Sequence, residues 1–111
     1  MLPRKYRLSA KEFQRTYQSG SKFRGEHGML VVDKKSSNPL PRFGFVVSKK
    51  IGNAVLRHRF TRLLRTIFLE AVVEFDLEKY PYRYEYVSFK FLDDRKILER
   101  EIFELIERSI K

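Results

Sequence analysis

Apolar residues recur along this chain at two spacings, and the changes of spacing mark the elements. Leu56, Phe60, Leu63, Leu64, Ile67 and Ala71 fall three or four apart and form one stripe on a helix that begins at Ala54. Asn53, following Gly52, is placed to cap it. A second stripe, Ile97, Leu98, Ile102, Leu105 and Ile106, predicts a C-terminal helix started by Asp93 or Asp94. Between the two helices Pro81 breaks the pattern, and Tyr84 to Leu92 alternates with period two. Val87, Phe89 and Phe91 share one face of that strand, and Tyr84, Tyr86, Ser88 and Lys90 share the other.

The N-terminal half reads as one helix and two or three strands. Ser9-x-x-Glu12 is a capping-box pattern, so a short helix runs from there to about Gln18 and stops near Gly20, with Phe13 and Tyr17 on one face. Residues 1–7 are polar, basic and Pro-containing, which predicts an extended or mobile basic arm. Met29 to Val32 and Phe43 to Val47 are short apolar runs separated by the turn formers of DKKSSNPLPR, and together they predict an antiparallel hairpin. Ser21 to Arg24 allows a further short strand.

The order is therefore α-β-β-β-α-β-α. We read an α+β chain, a single-domain α/β sandwich spanning residues 1–111, with a mixed central sheet and the long helix as a crossover between two strands. A length of 111 residues with 42% hydrophobic composition supports one core and no more.

Charge changes the picture. The formal net charge of +10 is not spread evenly: residues 34–69 hold nine Lys or Arg and no acid, while residues 70–111 hold eight bases against eleven acids. Such a field attracts phosphates or an anionic membrane surface. There is no cysteine, so neither a disulfide framework nor a thiolate metal site can form. No apolar run resembles a secretory signal or a membrane span, and a soluble cytoplasmic protein is expected.

An enzyme acting alone is not indicated. His27 and His58 are the only histidines, and no H-E-x-x-H, paired-Asp metal motif or G-x-S-x-G elbow occurs. Asp93-Asp94 is better used as a helix start. We assign no catalytic and no metal-binding residue. The basic helix is different, because guanidinium groups on one helix face can follow a nucleic-acid backbone. His58, Arg62 and Arg65 lie roughly opposite the apolar stripe on a helical wheel, with Arg57 and Arg59 flanking it. Lys49, Lys50 and the Gly52-Asn53 backbone extend this surface toward the helix N-terminus, where the dipole also favours anions. Phe13 and Tyr17 fit either a core pair or a platform for unpaired bases, with Arg15 and Lys22 beside them, and Tyr84 with Tyr86 poses the same choice. Both platforms would need one sheet face to stay open. His58 sits between two arginines and has no second metal ligand at helical spacing.

The segment Ser48-Lys49-Lys50-Ile51-Gly52-Asn53-Ala54-Val55, followed by Arg57-His58-Arg59, Arg62 and Arg65, resembles the signature of the bacterial ribonuclease P protein subunit, usually KKxGNAVxRNRxKRxxR. PRFGFVVS before it and the spacing of Phe13, Tyr17 and Gly20 fit the same family. The resemblance implies a ribonucleoprotein endonuclease that removes the 5′ leader of precursor tRNA, with catalysis and the Mg2+ or other divalent ions on the RNA subunit. It implies a left-handed crossover, an exception to the usual hand. It also implies that Lys49, Lys50, Asn53, Arg57, His58, Arg59, Arg62 and Arg65 face the catalytic RNA, that Phe13, Tyr17 and Lys90 line the leader cleft, and that the protein is a monomer within the holoenzyme. Three positions depart from the family pattern. His58 replaces the central Asn of the R-N-R triplet, Thr61 stands where Lys is usual and removes a charge near the leader path, and Val31 occupies a place where some members have a cleft aromatic. The alternative is a general RNA-binding or ribosome-associated module with no part in cleavage. A protein-only nuclease lacks a catalytic set, and a membrane role for the long helix would compete with the core for its apolar stripe.

Overall fold

The computed structural model describes residues 2–35 and 37–111. Met1 and Ser36, which fall in the expected arm and the expected loop, lie outside the described residues. Helix α1 is Ala10–Ser19, followed by strands β1 (Ser21–Arg24), β2 (Gly28–Asp33) and β3 (Arg42–Val46). Helix α2 (Ala54–Glu74), strand β4 (Arg83–Ser88) and helix α3 (Arg95–Ile110) complete the chain, with short 3-10 turns at Arg4–Tyr6, Lys49–Ile51 and Leu77–Lys79. The α+β reading and the element order hold.

Helices α1 and α3 start where their side chains predict. The Ser9 hydroxyl accepts from the Glu12 N–H while Glu12 accepts from the Ser9 N–H, the reciprocal pair that satisfies two orphan donors. Asp94 Oδ1 accepts from Ile97 N at 3.2 Å, which settles the start of α3.

Strand pairing differs from expectation. The sheet order is β1-β2-β4-β3, with β1, β2 and β4 antiparallel in sequence and β4 parallel to β3. No β2–β3 hairpin forms, because β4 inserts between them and pairs with β2 over six residues, from Gly28 with Ser88 to Asp33 with Arg83. The connection after Val32 is far longer than the two to five residues of a tight hairpin, so it leaves room for a strand in between. Helix α2 then links two parallel neighbours, as a crossover should.

The burial of β4 decides between the two uses left open for its tyrosines. Tyr84 and Tyr86 are fully buried in the core beneath α2 and α3, with Tyr84 stacked on Phe43 at 5.2 Å and Phe68 tilted against Tyr86. They are not base platforms. Burial is tolerable for Tyr84 because its hydroxyl donates to Tyr80 O at 2.9 Å. The strand also stops at Ser88 rather than Leu92, since the Phe89 and Lys90 N–H groups turn to His27 O.

The N-terminal segment is not an arm. Leu2 and Tyr6 are buried, the Tyr6 hydroxyl donates to Glu78 Oε1 at 3.2 Å, and Leu8 N donates to Phe43 O at 3.0 Å along the outer edge of β3. Two large apolar anchors among the charges were enough to dock it.

Candidate nucleic-acid interface

The basic motif is assembled at the entry to α2. Ser48 Oγ accepts from Lys50 N, and the chain makes a 3-10 turn that leaves Lys49 and Lys50 exposed. Gly52 follows with φ of 153°, a value that side-chain-bearing residues rarely adopt. Asn53 Oδ1 then accepts from Leu56 N at 2.9 Å, so its side chain is committed to the cap while the free backbone N–H groups of the first turn face outward.

Helix α2 divides the motif between two sides. Its apolar stripe, Phe60, Leu64, Ile67, Phe68 and Ala71, lies on the sheet. On one flank His58, Arg59 and Arg62, with Ala54 and the exposed Val55, line an open groove of about 610 Å³. Arg59 is partly engaged there, with Nη2 at 3.4 Å from Asp93 Oδ2. On the other flank Arg57, Thr61 and Arg65 stand at successive turns. Arg65 was expected opposite the stripe; instead it is half-buried beside Thr61, because one helical step from the fully buried Leu64 is a flank and not the far side.

The opposite face of the sheet is only partly covered, by α1. Strand register places Lys22, Val31, Glu85 and Gly44 in one row across this face, and Arg24, Met29, Val87 and Val46 in the next. The Phe13 ring lies directly over Gly44, where an added Cβ would come within 2.2 Å of Phe13 Cζ. Phe13 is therefore a half-buried wall, whereas Tyr17 is 45% exposed and carries Lys22 Nζ at 4.8 Å from its ring centroid. The Arg24 guanidinium lies over Phe89 at 4.6 Å. The result is a shallow channel of aromatic rings and cations, a combination that suits unpaired nucleotides. Lys90 is exposed and lies past the end of β4, beside His27.

Glu85 is an unexpected component. It is 3% exposed in the middle of this face, one carboxylate oxygen has no hydrogen-bond partner, and burial pushes its pKa up to about 7, opposed in part by Lys22. Farther along the sheet, Arg83 faces Asp33 and Arg42 Nη1 reaches Glu12 Oε1 at 2.9 Å. Burial disfavours a charged Glu12, but hydrogen bonds from Ser9 and Asn38 and the Arg42 guanidinium outweigh it and hold the carboxyl below its usual value. Sequence reasoning missed Arg7, Arg24, Arg42 and Glu85 as neighbours of the channel. Only Arg7 left a readable signal, the apolar-cation-apolar run Tyr6-Arg7-Leu8 of an edge strand.

Among the described residues, Glu26, His27 and Glu101 bring potential ligand atoms within 4.8 Å of one another. The Glu101 carboxylate, however, accepts from the backbone N–H groups of Glu26 and His27 and lies 3.0 Å from His27 Nδ1. That is a clasp between the β1–β2 turn and α3, at the sheet edge opposite β3. No helix among the described residues is long and apolar enough to cross a membrane.

The family model for ribonuclease P matches residues 2–87. The chain belongs to the ribonuclease P protein family. The ribonuclease P protein component of a Geobacillus strain is 37% identical over 70 residues, covering 62% of this chain and 60% of that protein. The component from Kocuria rhizophila is 42% identical over 76 residues, covering 67% and 66%. The chain thus spans somewhat under two thirds of the length of these relatives. Among solved structures, the family fold of the Thermotoga maritima RNase P protein superposes with a TM-score of 0.78 at 21% identity over 92% of this chain and 96% of that one. The Staphylococcus aureus RNase P protein gives 0.65 at 23% over 95% and 92%. Both share the fold.

Proposed function

We propose that this chain is the protein subunit of ribonuclease P, the endonuclease that matures the 5′ end of tRNA, and that it binds the catalytic RNA through α2 and the single-stranded leader of precursor tRNA in the channel beside α1. The observation that carries the reading is the adjacency of two surfaces. A cation-rich helix with no acid of its own before Glu70 shares, through Thr61 and Arg65, a depression with Phe13, one turn of α1 from the exposed Tyr17. Lys49, Lys50, Arg57, His58, Arg59 and Arg62 meet phosphates of the catalytic RNA, Arg65 stands where that surface meets the channel, and the Asn53 cap presents the backbone amides. Phe13 and Tyr17 stack on leader bases, with Lys22 and Lys90 supplying charge along the path.

The protein's part in the reaction is binding and orientation. Phosphodiester hydrolysis belongs to the RNA subunit with its divalent ions; among the described residues, the carboxylate of the three-residue cluster at Glu101 is committed to its clasp. A monomeric cytoplasmic subunit fits this role.

The test is cleavage of leader-bearing precursor tRNA at low magnesium by a bacterial ribonuclease P RNA, with the protein added, omitted, or supplied without the RNA. Stimulation only when both are present is expected. Tight RNA binding without stimulation, using RNA from a compatible source, would replace this reading with that of a general RNA-binding module.

A further inference from the structure

The inner flank of α2 has a gap in its charge. Arg57, Thr61 and Arg65 occupy successive turns, and Thr61 carries no cation; its hydroxyl instead donates to Arg57 O at 2.8 Å. A different element reaches the same place. Tyr6 and Leu8 are buried, and Arg7 between them is bridged to Phe43 at the edge of β3, so its backbone is held while its side chain stays exposed.

Arg7 lines the same depression, about 200 Å³, that Thr61, Arg65, Phe13 and Gly44 line. It also borders the open groove of Arg4, Lys5 and Arg42 on its other side. Among the described residues no carboxylate lies within ion-pair reach of Arg7 or Arg65. Two unpaired guanidinium groups therefore flank an apolar floor that ends in an aromatic ring. Guanidinium forks bind phosphate oxygens bidentately, and the ring offers a surface for the adjoining base.

We propose that Arg7, with Arg65, clamps one phosphodiester of a single-stranded RNA where it passes from the α2 surface into the Phe13–Tyr17 channel, supplying from the N-terminal segment the cation that Thr61 lacks. The proposal rests on the function argued above insofar as the strand is a tRNA leader; the phosphate site itself does not require it.

The experiment compares the wild type with Arg7→Ala, Thr61→Lys, the double variant, and Lys96→Ala as a control that removes an equal charge from exposed α3. Affinity is measured in the holoenzyme for precursor tRNA with and without its leader, and for the protein alone with a short single-stranded RNA. Arg7→Ala is expected to weaken leader-bearing precursor and the short RNA about tenfold, the worth of one charge-assisted contact. Leaderless tRNA and the melting temperature should be unaffected, Thr61→Lys should restore most of the loss, and Lys96→Ala should change nothing. Equal losses with and without the leader, or a loss that Thr61→Lys leaves in place, would overturn the clamp. If the holoenzyme showed no leader effect in any variant while Arg7→Ala still weakened the short RNA, the leader assignment would fail and the phosphate site would stand.

Discussion

Replacing Glu85 by Gln isolates the cost of placing a carboxyl in the sheet face beneath α1. The side chain is 3% exposed, shares its row with Lys22, Val31 and Gly44, and has an oxygen without a partner. Burial raises its pKa from the usual 4.5 to about 7, with Lys22 pulling the other way. A raised folded-state value means that the native protein holds this proton more tightly than the unfolded chain does. The associated stability is thus fully present below pH 4.5 and is lost as pH rises through 7. At about 1.4 kcal/mol per pH unit, the interval between the two values amounts to about 3 kcal/mol at most by pH 8.

Gln keeps the shape of the protonated acid and cannot ionise. Wild type and Glu85→Gln should therefore agree within about 1 kcal/mol at pH 4.5, and the variant should be more stable by about 2–3 kcal/mol at pH 8, a rise in melting temperature of roughly 10 °C for a chain of this size. Urea and thermal melts at four pH values from 4.5 to 8 give the difference curve, in which every other titrating group cancels. Lys22→Met in either background supplies a control, because it removes the attraction that opposes burial and should widen the difference. Parallel curves would refute the reasoning. So would a variant that lost stability as pH rose, since that would mean the Lys22 charge outweighs burial.

Tyr17→Ala should weaken binding of leader-bearing precursor by about 1–3 kcal/mol without lowering the melting temperature, because the ring is nearly half exposed. Gly44→Ala should also weaken leader binding by displacing Phe13, here with a loss of stability because the added Cβ presses on Phe13 and the buried Leu8, and unchanged leader affinity in both would remove the channel from the mechanism. Asn53→Ala should cost about 1 kcal/mol of stability by losing the cap, whereas Asn53→Asp should keep the cap and weaken RNA binding, an effect read by filter binding and thermal melts together. Asp93→Asn should release Arg59 and steepen the salt dependence of RNA affinity by up to about one counterion; a slope identical to the wild type would mean that Arg59 does not meet a phosphate.

The contrast between α2 and the sheet explains what could be read from the chain alone. The caps at Ser9, Asn53 and Asp94 and the two apolar stripes depend on residues within one or two turns of each other, and all three helices formed as read. Strand partners depend on distant chain, so two apolar runs with turn-forming residues between them looked like a hairpin, although β4 takes the central place. Tyr84 and Tyr86 were ambiguous for a related reason. A tyrosine is as much core as surface, and what decided Tyr84 was a carbonyl at Tyr80 able to take its hydroxyl. The candidate interface divides along the same line. Its cations were legible as a list, because nine bases without an acid need no geometry to recognise. Which of them border the channel was not, because that follows from how α2 rests on the sheet and from β1–β2–β4–β3 register: Arg65 came inward, Lys22 and Arg24 lined up beside Glu85, and Arg7 arrived from a segment whose charge had concealed the two buried residues, Tyr6 and Leu8, that hold it in place.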